Sequence, residues 1–418
     1  MLKMKGIDDF DYSGKTVLLR VDINSPIDVK TKRIVNQNRI QKSIPTIRKI
    51  LDQKAKLAII AHQGDTLDYQ NLIPMAEHAH QLSLFLGEKV DYIDDVAGPA
   101  AQERVKSLQP GRAVLLGNLR YLSEEISTFE GAVKLRPKEM LDTYLLRGLA
   151  PIIDYYVNDA FAAAHRNAPS MVAFQEIKPT AAGDLMLNEM IALNALMASP
   201  DHPCVFVLGG AKISDAFGMM RRILESGTAD SILSCGIAGE IMLLAKGIEL
   251  GAAKERFLRD RGLTVFVAEA SSFLQNYPDR IFFPTDLAYS GGGARREVRI
   301  QDLPLDEMFM DIGAQTIDKY TAIIGKAKTL FMNGPPGVYE DSLFQLGTKI
   351  VLDAVASCSG YSVIGGGDTV SAATKFVDLA NINYVCTAGG AMVRFISGIR
   401  LPLIQAMEKA YQRDMDTS

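Results

Sequence analysis

In the N-terminal half of the chain, charged and amide side chains stand directly after short apolar runs. Arg20, Asp22 and Asn24 belong to LLRVDINSP, and His62 follows the apolar run 57–61. Asn118 and Arg120 lie in GNLRY, and Asn158, Asp159, His165 and Arg166 in VNDAFAAAHR. Arg39 marks the start of a predicted helix. Arginine holds carboxylates and phosphates through paired hydrogen bonds, so this set suits a small, multiply charged anion. Any one of these arginines could be plain surface charge or half of an ion pair within its domain. That explanation weakens when all of them fall at the same kind of position.

The C-terminal half carries glycines instead. GGAK supplies Gly210 and Lys212, NGPPGVYE supplies Pro335 and Glu340, and GGGDT supplies Gly366, Gly367, Asp368 and Thr369; TAGGA follows a further apolar run. A strand, three glycines, Asp-Thr and then a helix make a phosphate site, because bare backbone amides approach the anion and the helix N-terminus adds partial positive charge. Asp368 places a hard oxygen where a phosphate-bound Mg2+ needs one. GxxxxGK[ST] is absent, as are the ordered protein-kinase motifs and the GxGxxG spacing of dinucleotide folds. SGGGA, 290–294, reads as an exposed loop, since no strand leads from it into a helix.

These residues need a frame that delivers them to a common edge. Apolar runs at 16–21, 57–61, 113–116, 155–157, 205–208, 232–234, 264–267, 281–283, 330–332, 361–364 and 384–386 predict strands buried on both faces. Amphipathic segments between them, such as 39–53, 72–86, 216–226 and 350–357, predict helices. The fold class is therefore α/β: two domains, each a mostly parallel sheet flanked by helices, joined by a hinge helix within 181–198, which Pro179 and Pro200 bracket. In such sheets ligands bind beyond the carboxyl ends of the strands.

The totals agree. A chain of 418 residues exceeds one hydrophobic core. A formal net charge of −4 and a pI near 5.8 give no reason to expect nucleic acid or membrane as partner. The N-terminus lacks the apolar core of a signal peptide. Cys204, Cys235, Cys358 and Cys386 stand apart beside apolar stretches, as reduced thiols of a cytoplasmic protein do. His78, His80 and His202 have no motif around them and read as surface residues.

LLRVDINSP, GNLRY, VNDAFAAAHR, GGAKISD, NGPPGVYE and GGGDT, in this order, resemble phosphoglycerate kinase over essentially the whole chain, with VDINSP and DAFAAAHR similar to its archaeal branch. The resemblance implies reversible phosphoryl transfer between 1,3-bisphosphoglycerate and ADP, giving 3-phosphoglycerate and ATP, with Mg2+ and hinge closure. It implies an acid-binding domain over 1–180, a connecting helix over 181–199, a Mg-nucleotide domain over 200–395 and a tail over 396–418 that packs back on the first domain. Asp22, Asn24 and Arg39 then face the glycerate hydroxyl and carboxyl, and His62, Arg120 and Arg166 hold the non-transferred phosphate. Lys212 sits by the transferring phosphoryl group and, with Arg39, stabilises its charge. Gly210, Pro335, Gly366, Gly367, Asp368 and Thr369 serve the nucleotide phosphates and metal, and Glu340 the ribose. Only small-molecule substrates are implied as partners, and a monomer, with a dimer left open.

Departures from the family pattern bear on the acid. The usual His-x-Gly-Arg reads His62-Gln63-Gly64-Asp65. Losing one charge-assisted hydrogen bond weakens phosphate binding roughly ten- to a hundred-fold. Ala216 replaces a lysine that many members carry, and Arg221 or Arg222 could serve in its place. Pro336 and Ala388 are milder changes. Two other readings stay open: a kinase forming the acyl phosphate of a different acid, and a non-catalytic nucleotide-binding member. Retention of Arg39, Lys212, Glu340 and Asp368 speaks against the second.

Overall fold

A computed structural model describes residues 3–64 and 72–416; Asp65 lies outside the described residues. Strands β1 (Thr16–Val21), β2 (Lys56–Ile60), β3 (Val90–Tyr92), β4 (Arg112–Leu115), β5 (Tyr155–Asp159) and β6 (Thr180–Ala182) form one sheet, in the order β3-β4-β2-β1-β5-β6. Every pairing in it is parallel. A second sheet begins with β7 (Cys204–Leu208), β8 (Ser231–Ser234) and β9 (Ile281–Phe282). The chain then forms β10 (Asp286–Gly291), β11 (Ala294–Arg299) and β12 (Phe309–Ile312) before returning with β13 (Thr329–Asn333), β14 (Tyr361–Gly365) and β15 (Tyr384–Val385). The second sheet is also parallel, in the order β15-β14-β13-β7-β8-β9.

The central strands are continuous apolar runs because helices cover both of their faces. In β1, Val17, Leu18, Leu19 and Val21 are fully buried, as are Val207, Leu208, Leu330 and Met332 of β7 and β13. Each sheet also has a point where the chain leaves one strand for opposite sides. β1 lies between β2 and β5, and β7 lies between β8 and β13. A crevice opens at such a point beyond the carboxyl ends of the strands. Several of the candidate residues follow β1, β5, β7 and β13, and the others follow their neighbours β2, β4 and β14.

The chain divides into two compact units: residues up to Ile191 together with those from Arg400 onward, and Ala192–Ile399. The first crossing falls inside the helix Asp184–Ala198. The last helix, Pro402–Asp416, packs on the first unit, with the Leu403 N–H on the Ala164 carbonyl (3.2 Å) and Arg413 Nη2 on the Lys178 carbonyl (2.8 Å).

Three sequence expectations differ from the structure. The run 264–267 is not a strand: Leu263–Phe266 is a 3-10 turn and Val267 opens a helix to Asn276. None of the four residues Leu263–Phe266 is buried, and a short apolar run of this kind does not separate strand from helix by period. A third, antiparallel sheet, β11-β10-β12, was not anticipated; the glycines at 291–293 form the tip of its β10–β11 hairpin. His78 is not a surface residue: it is fully buried, with Nε2 2.9 Å from Gln63 Oε1.

The start of the 184–198 helix hangs on a buried carboxylate. Asp159, at the end of β5, accepts the Met186 N–H at 2.9 Å, and Thr46 Oγ1 accepts the Asp184 N–H at 2.9 Å. Asp159 is 1% exposed, and burial raises its pKa from 3.8 to about 6, against hydrogen bonds from Met186, Thr46 and Leu185. The folded state therefore holds this proton more tightly than the unfolded chain does. The stability associated with the protonated carboxyl is complete below pH 3.8 and is lost as pH rises through about 6. The loss is about 3 kcal/mol at one pKa unit per 1.36 kcal/mol. Asp159→Asn, which cannot ionise, removes this fall; melting temperatures of the two proteins between pH 4 and pH 7 check it, wild type losing ground relative to the variant as pH rises.

Candidate functional site

The first unit gathers its basic residues around one histidine. Arg20 is buried one residue before the end of β1, and its Nη2 lies 2.8 Å from His62 Nδ1. A guanidinium only donates, so Nδ1 is the acceptor and the proton of the neutral ring sits on Nε2. Burial first, and then the charges of Arg20, Arg120, Arg166 and Arg39, hold the imidazole well below its ordinary pKa. His62 is thus a neutral N–H donor inside a ring of four guanidinium groups, a setting that favours an anion.

The other expected residues lie on the same edge. Asp22 is buried and accepts from Arg39 Nη1 at 2.7 Å, while 41% of the Arg39 side chain remains accessible. Asn24 Oδ1 accepts the Gly64 N–H at 3.0 Å, joining the loops after β1 and β2. Asn118 does the same for β2 and β4: its Oδ1 accepts the Gln63 N–H (3.1 Å) and its Nδ2 donates to the Gln63 carbonyl (2.9 Å). Arg166 Nε donates to Glu130 Oε2 at 2.6 Å, and its buried Nη2 has no hydrogen-bond partner among the described residues. A buried guanidinium nitrogen without an acceptor is costly, and an anionic ligand would satisfy it.

Residues that the sequence did not mark hold this cluster together. Glu125 is buried and accepts from Ser170 N and Oγ, each at 2.6 Å. Burial raises its pKa, opposed by those hydrogen bonds and by the charges of Arg20 and Arg120. Arg120 Nη1 donates to the Glu125 carbonyl, and Arg20 Nε reaches Ser170 Oγ at 3.4 Å. Gln63 locks Ser25 from both sides, accepting its N–H and donating to its carbonyl at 2.9 Å each.

In the second unit, glycine turns from separate strands touch through their backbones. Gly209 N–H donates to the Asn333 carbonyl (3.0 Å) and Gly210 N–H to the Pro335 carbonyl (2.9 Å). Gly334 has φ +89°, and a Cβ there would lie 2.1 Å from the Gly209 carbonyl oxygen, so only glycine fits. Thr369 Oγ1 accepts the Gly334 N–H at 2.7 Å, tying GGGDT to NGPPGVYE. Gly366, at φ +86°, caps the helix Gly367–Phe376, and Asp368 is exposed in its first turn. Lys212 is exposed at the cap of the helix Ile213–Glu225. Gly236 was not anticipated; a Cβ on it would come 3.0 Å from Gly210 N. Glu340 is exposed in the turn after β13, and its charge and that of Asp368 both act on Tyr339. Of the arginines considered as replacements at 216, Arg221 is engaged with Glu269 (3.0 Å).

A guanidinium-ringed anion site on one parallel sheet and glycine-rich helix starts on another define a two-domain α/β phosphotransferase. The family model described as phosphoglycerate kinase matches residues 7–399. The phosphoglycerate kinase of Methanothermus fervidus is 40% identical over 413 residues, covering 99% of each chain. The crystal structure of phosphoglycerate kinase from Pyrococcus horikoshii superposes with a TM-score of 0.87 at 36% identity, covering 98% of this chain and 100% of that one. The structure of phosphoglycerate kinase from Coxiella burnetii gives 0.82 at 28% identity, covering 97% of this chain and 99% of that one.

This chain belongs to the phosphoglycerate kinase family. Its activity is phosphoryl transfer with a carboxyl group as acceptor. No helix of the described residues is long and apolar enough to cross a membrane.

Proposed function

We propose that the first unit binds 3-phosphoglycerate or its acyl phosphate and the second binds Mg-ADP or Mg-ATP. The observation that carries this is the division of chemistry between the sheets: guanidinium groups and a neutral imidazole at the strand ends of one, bare backbone amides and helix N-termini at those of the other. Asp22 and Asn24 orient the glycerate end, and Arg39, fixed by Asp22, offers its remaining N–H groups to the carboxyl group. His62 Nε2–H, Arg120 and Arg166 bind the distal phosphate. Gly210, Gly366, Gly367 and Thr369 hold the nucleotide phosphates, Pro335 shapes their turn, Glu340 takes the ribose, and Lys212 neutralises the transferring group. Phosphoryl transfer needs little covalent help, so positioning and charge stabilisation are the whole task.

The donors also fit magnesium. Among the described residues no group of three or more His, Cys, Asp or Glu could hold a metal ion, but an ion that travels with nucleotide phosphates needs only one or two protein oxygens. Asp368 supplies a carboxylate. Asn333 Oδ1 is a buried oxygen without a hydrogen-bond partner among the described residues, 2.5 Å from the position of a Gly366 Cβ. Bound there, the ion would neutralise phosphate charge. The reduced cysteines favour the cytoplasm as its compartment.

The test is turnover of Mg-ATP with 3-phosphoglycerate, the acyl phosphate trapped as its hydroxamate, for wild type beside Asp65→Arg. Wild type turns over, and the added arginine lowers KM for 3-phosphoglycerate roughly ten- to a hundred-fold, the worth of one charge-assisted hydrogen bond, without changing KM for the nucleotide. Wild type that binds ATP but does not turn over, with activity appearing only in Asp65→Arg, would mean a different acid.

A further inference from the structure

The β10–β11 hairpin plays no part in the site described above, yet Arg295, the second residue of β11, reaches the nucleotide turn. Ala288 of β10 stands in register with Glu297 of β11 on one side and Asp311 of β12 on the other. Arg295, two residues before Glu297, shares its face of the strand. Arg295 Nη1 donates to Asp311 Oδ2 (2.8 Å) and to the Leu343 carbonyl (3.3 Å). Its Nη2 donates to the Ile312 carbonyl (2.8 Å) and Glu297 Oε1 (3.0 Å). The Asp311 side chain is 0% exposed. Burial raises its pKa to about 6, and Arg295 opposes that rise.

The same carboxylate lies under the turn that follows β13. Asp311 Oδ2 accepts the Gly347 N–H at 2.8 Å, at the start of the helix Leu346–Ala356. A Cβ on Gly337 or on Gly347 would fall 2.3 Å from Asp311 Oδ1, so both glycines rest directly on it. The Val338 N–H donates to the Met310 carbonyl (2.9 Å), and the Gly337 N–H to Thr348 Oγ1 (3.1 Å). Both feet of the turn therefore stand on Asp311, and Arg295 grips that carboxylate and the turn's far side at Leu343. Between the feet stands Glu340.

We propose that Arg295 and Asp311 are positioning residues for the nucleotide, holding the 337–347 turn so that Glu340 meets the ribose. This rests on the reading of Glu340 given above. Neither residue touches the reacting atoms, so their loss acts on nucleotide affinity and not on the acid or on the chemical step.

The test uses the full chain and compares Arg295→Met, Arg295→Lys and Glu340→Gln with wild type, measuring KM for Mg-ATP, KM for 3-phosphoglycerate and kcat. Arg295→Met raises KM for Mg-ATP about tenfold, the size of one lost hydrogen-bonded contact, with kcat and KM for the acid within about twofold. Arg295→Lys recovers part of that loss, because it keeps the charge on Asp311 without the fork. If Arg295→Met does not stay folded at the assay temperature, Arg295→Lys is judged by the same split at a smaller rise. Unchanged KM for Mg-ATP in a folded variant, or a fall confined to kcat, overturns the proposal. Glu340→Gln reports separately on the underlying reading: if it raises KM for Mg-ATP and the Arg295 variants do not, this inference alone is wrong. If Glu340→Gln has no effect, the ribose assignment is wrong, and the inference falls with it.

Discussion

Arg39→Ala lowers kcat by about 10³, within the range for removing an arginine that stabilises a transferring phosphoryl group. The size follows from what the residue does in the folded chain. Its Nη1 is spent on Asp22 at 2.7 Å, which fixes the direction of the guanidinium plane, while much of the side chain stays accessible to ligand. The pairing pre-orients the donors, so little reorganisation is needed when charge develops. Arg39→Lys keeps the charge and loses the planar fork, and falls between wild type and alanine. Asp22→Asn releases the guanidinium without removing it and costs less than Arg39→Ala. Initial rates at saturating 3-phosphoglycerate and Mg-ATP check the series. Equal loss in Arg39→Ala and Asp22→Asn would mean that Arg39 acts only through the pair.

Lys212→Met lowers kcat by about 10²–10³, the cost of removing one preorganised charge-stabilising donor. Lys212 is exposed at the cap of a 13-residue helix, so the residue stands at the helix N-terminus. The helix end and the glycine turns remain in the variant. Nucleotide binding therefore weakens by less than kcat falls, and titration calorimetry with Mg-ADP separates the two. A loss of affinity with kcat unchanged would make Lys212 a ground-state contact only.

Much of this organisation is legible in the sequence because strand ends carry the chemistry and strands announce themselves as short apolar runs. LLRVDINSP contains the end of a strand and candidate ligand residues within nine letters, and GGGDT contains a strand end and a helix start. What stays hidden depends on distant packing. Glu125 lies in the polar string Ser123–Glu125, where nothing in the sequence marks it, yet Ser170, 45 residues away, draws it inside beside Arg20. His78 reads as an isolated polar residue on a helix, and its hydrogen bond with Gln63 cannot be seen from the sequence. Arg295 follows a glycine string that looks like an ordinary loop, and its partner Asp311 is on a strand with which β11 does not even pair. The run 264–267 was misleading for the opposite reason, since its residues are apolar but none of Leu263–Phe266 is buried.

The division of ligands between the two sheets is tested most directly by amide hydrogen exchange with each ligand in turn. With 3-phosphoglycerate alone, protection should rise at 20–24, 62–64, 118–121 and 158–166. With Mg-ADP alone, it should rise at 209–213, 334–340 and 366–370. Protection of the glycine turns by the acid, or of the arginine cluster by the nucleotide, would contradict the account.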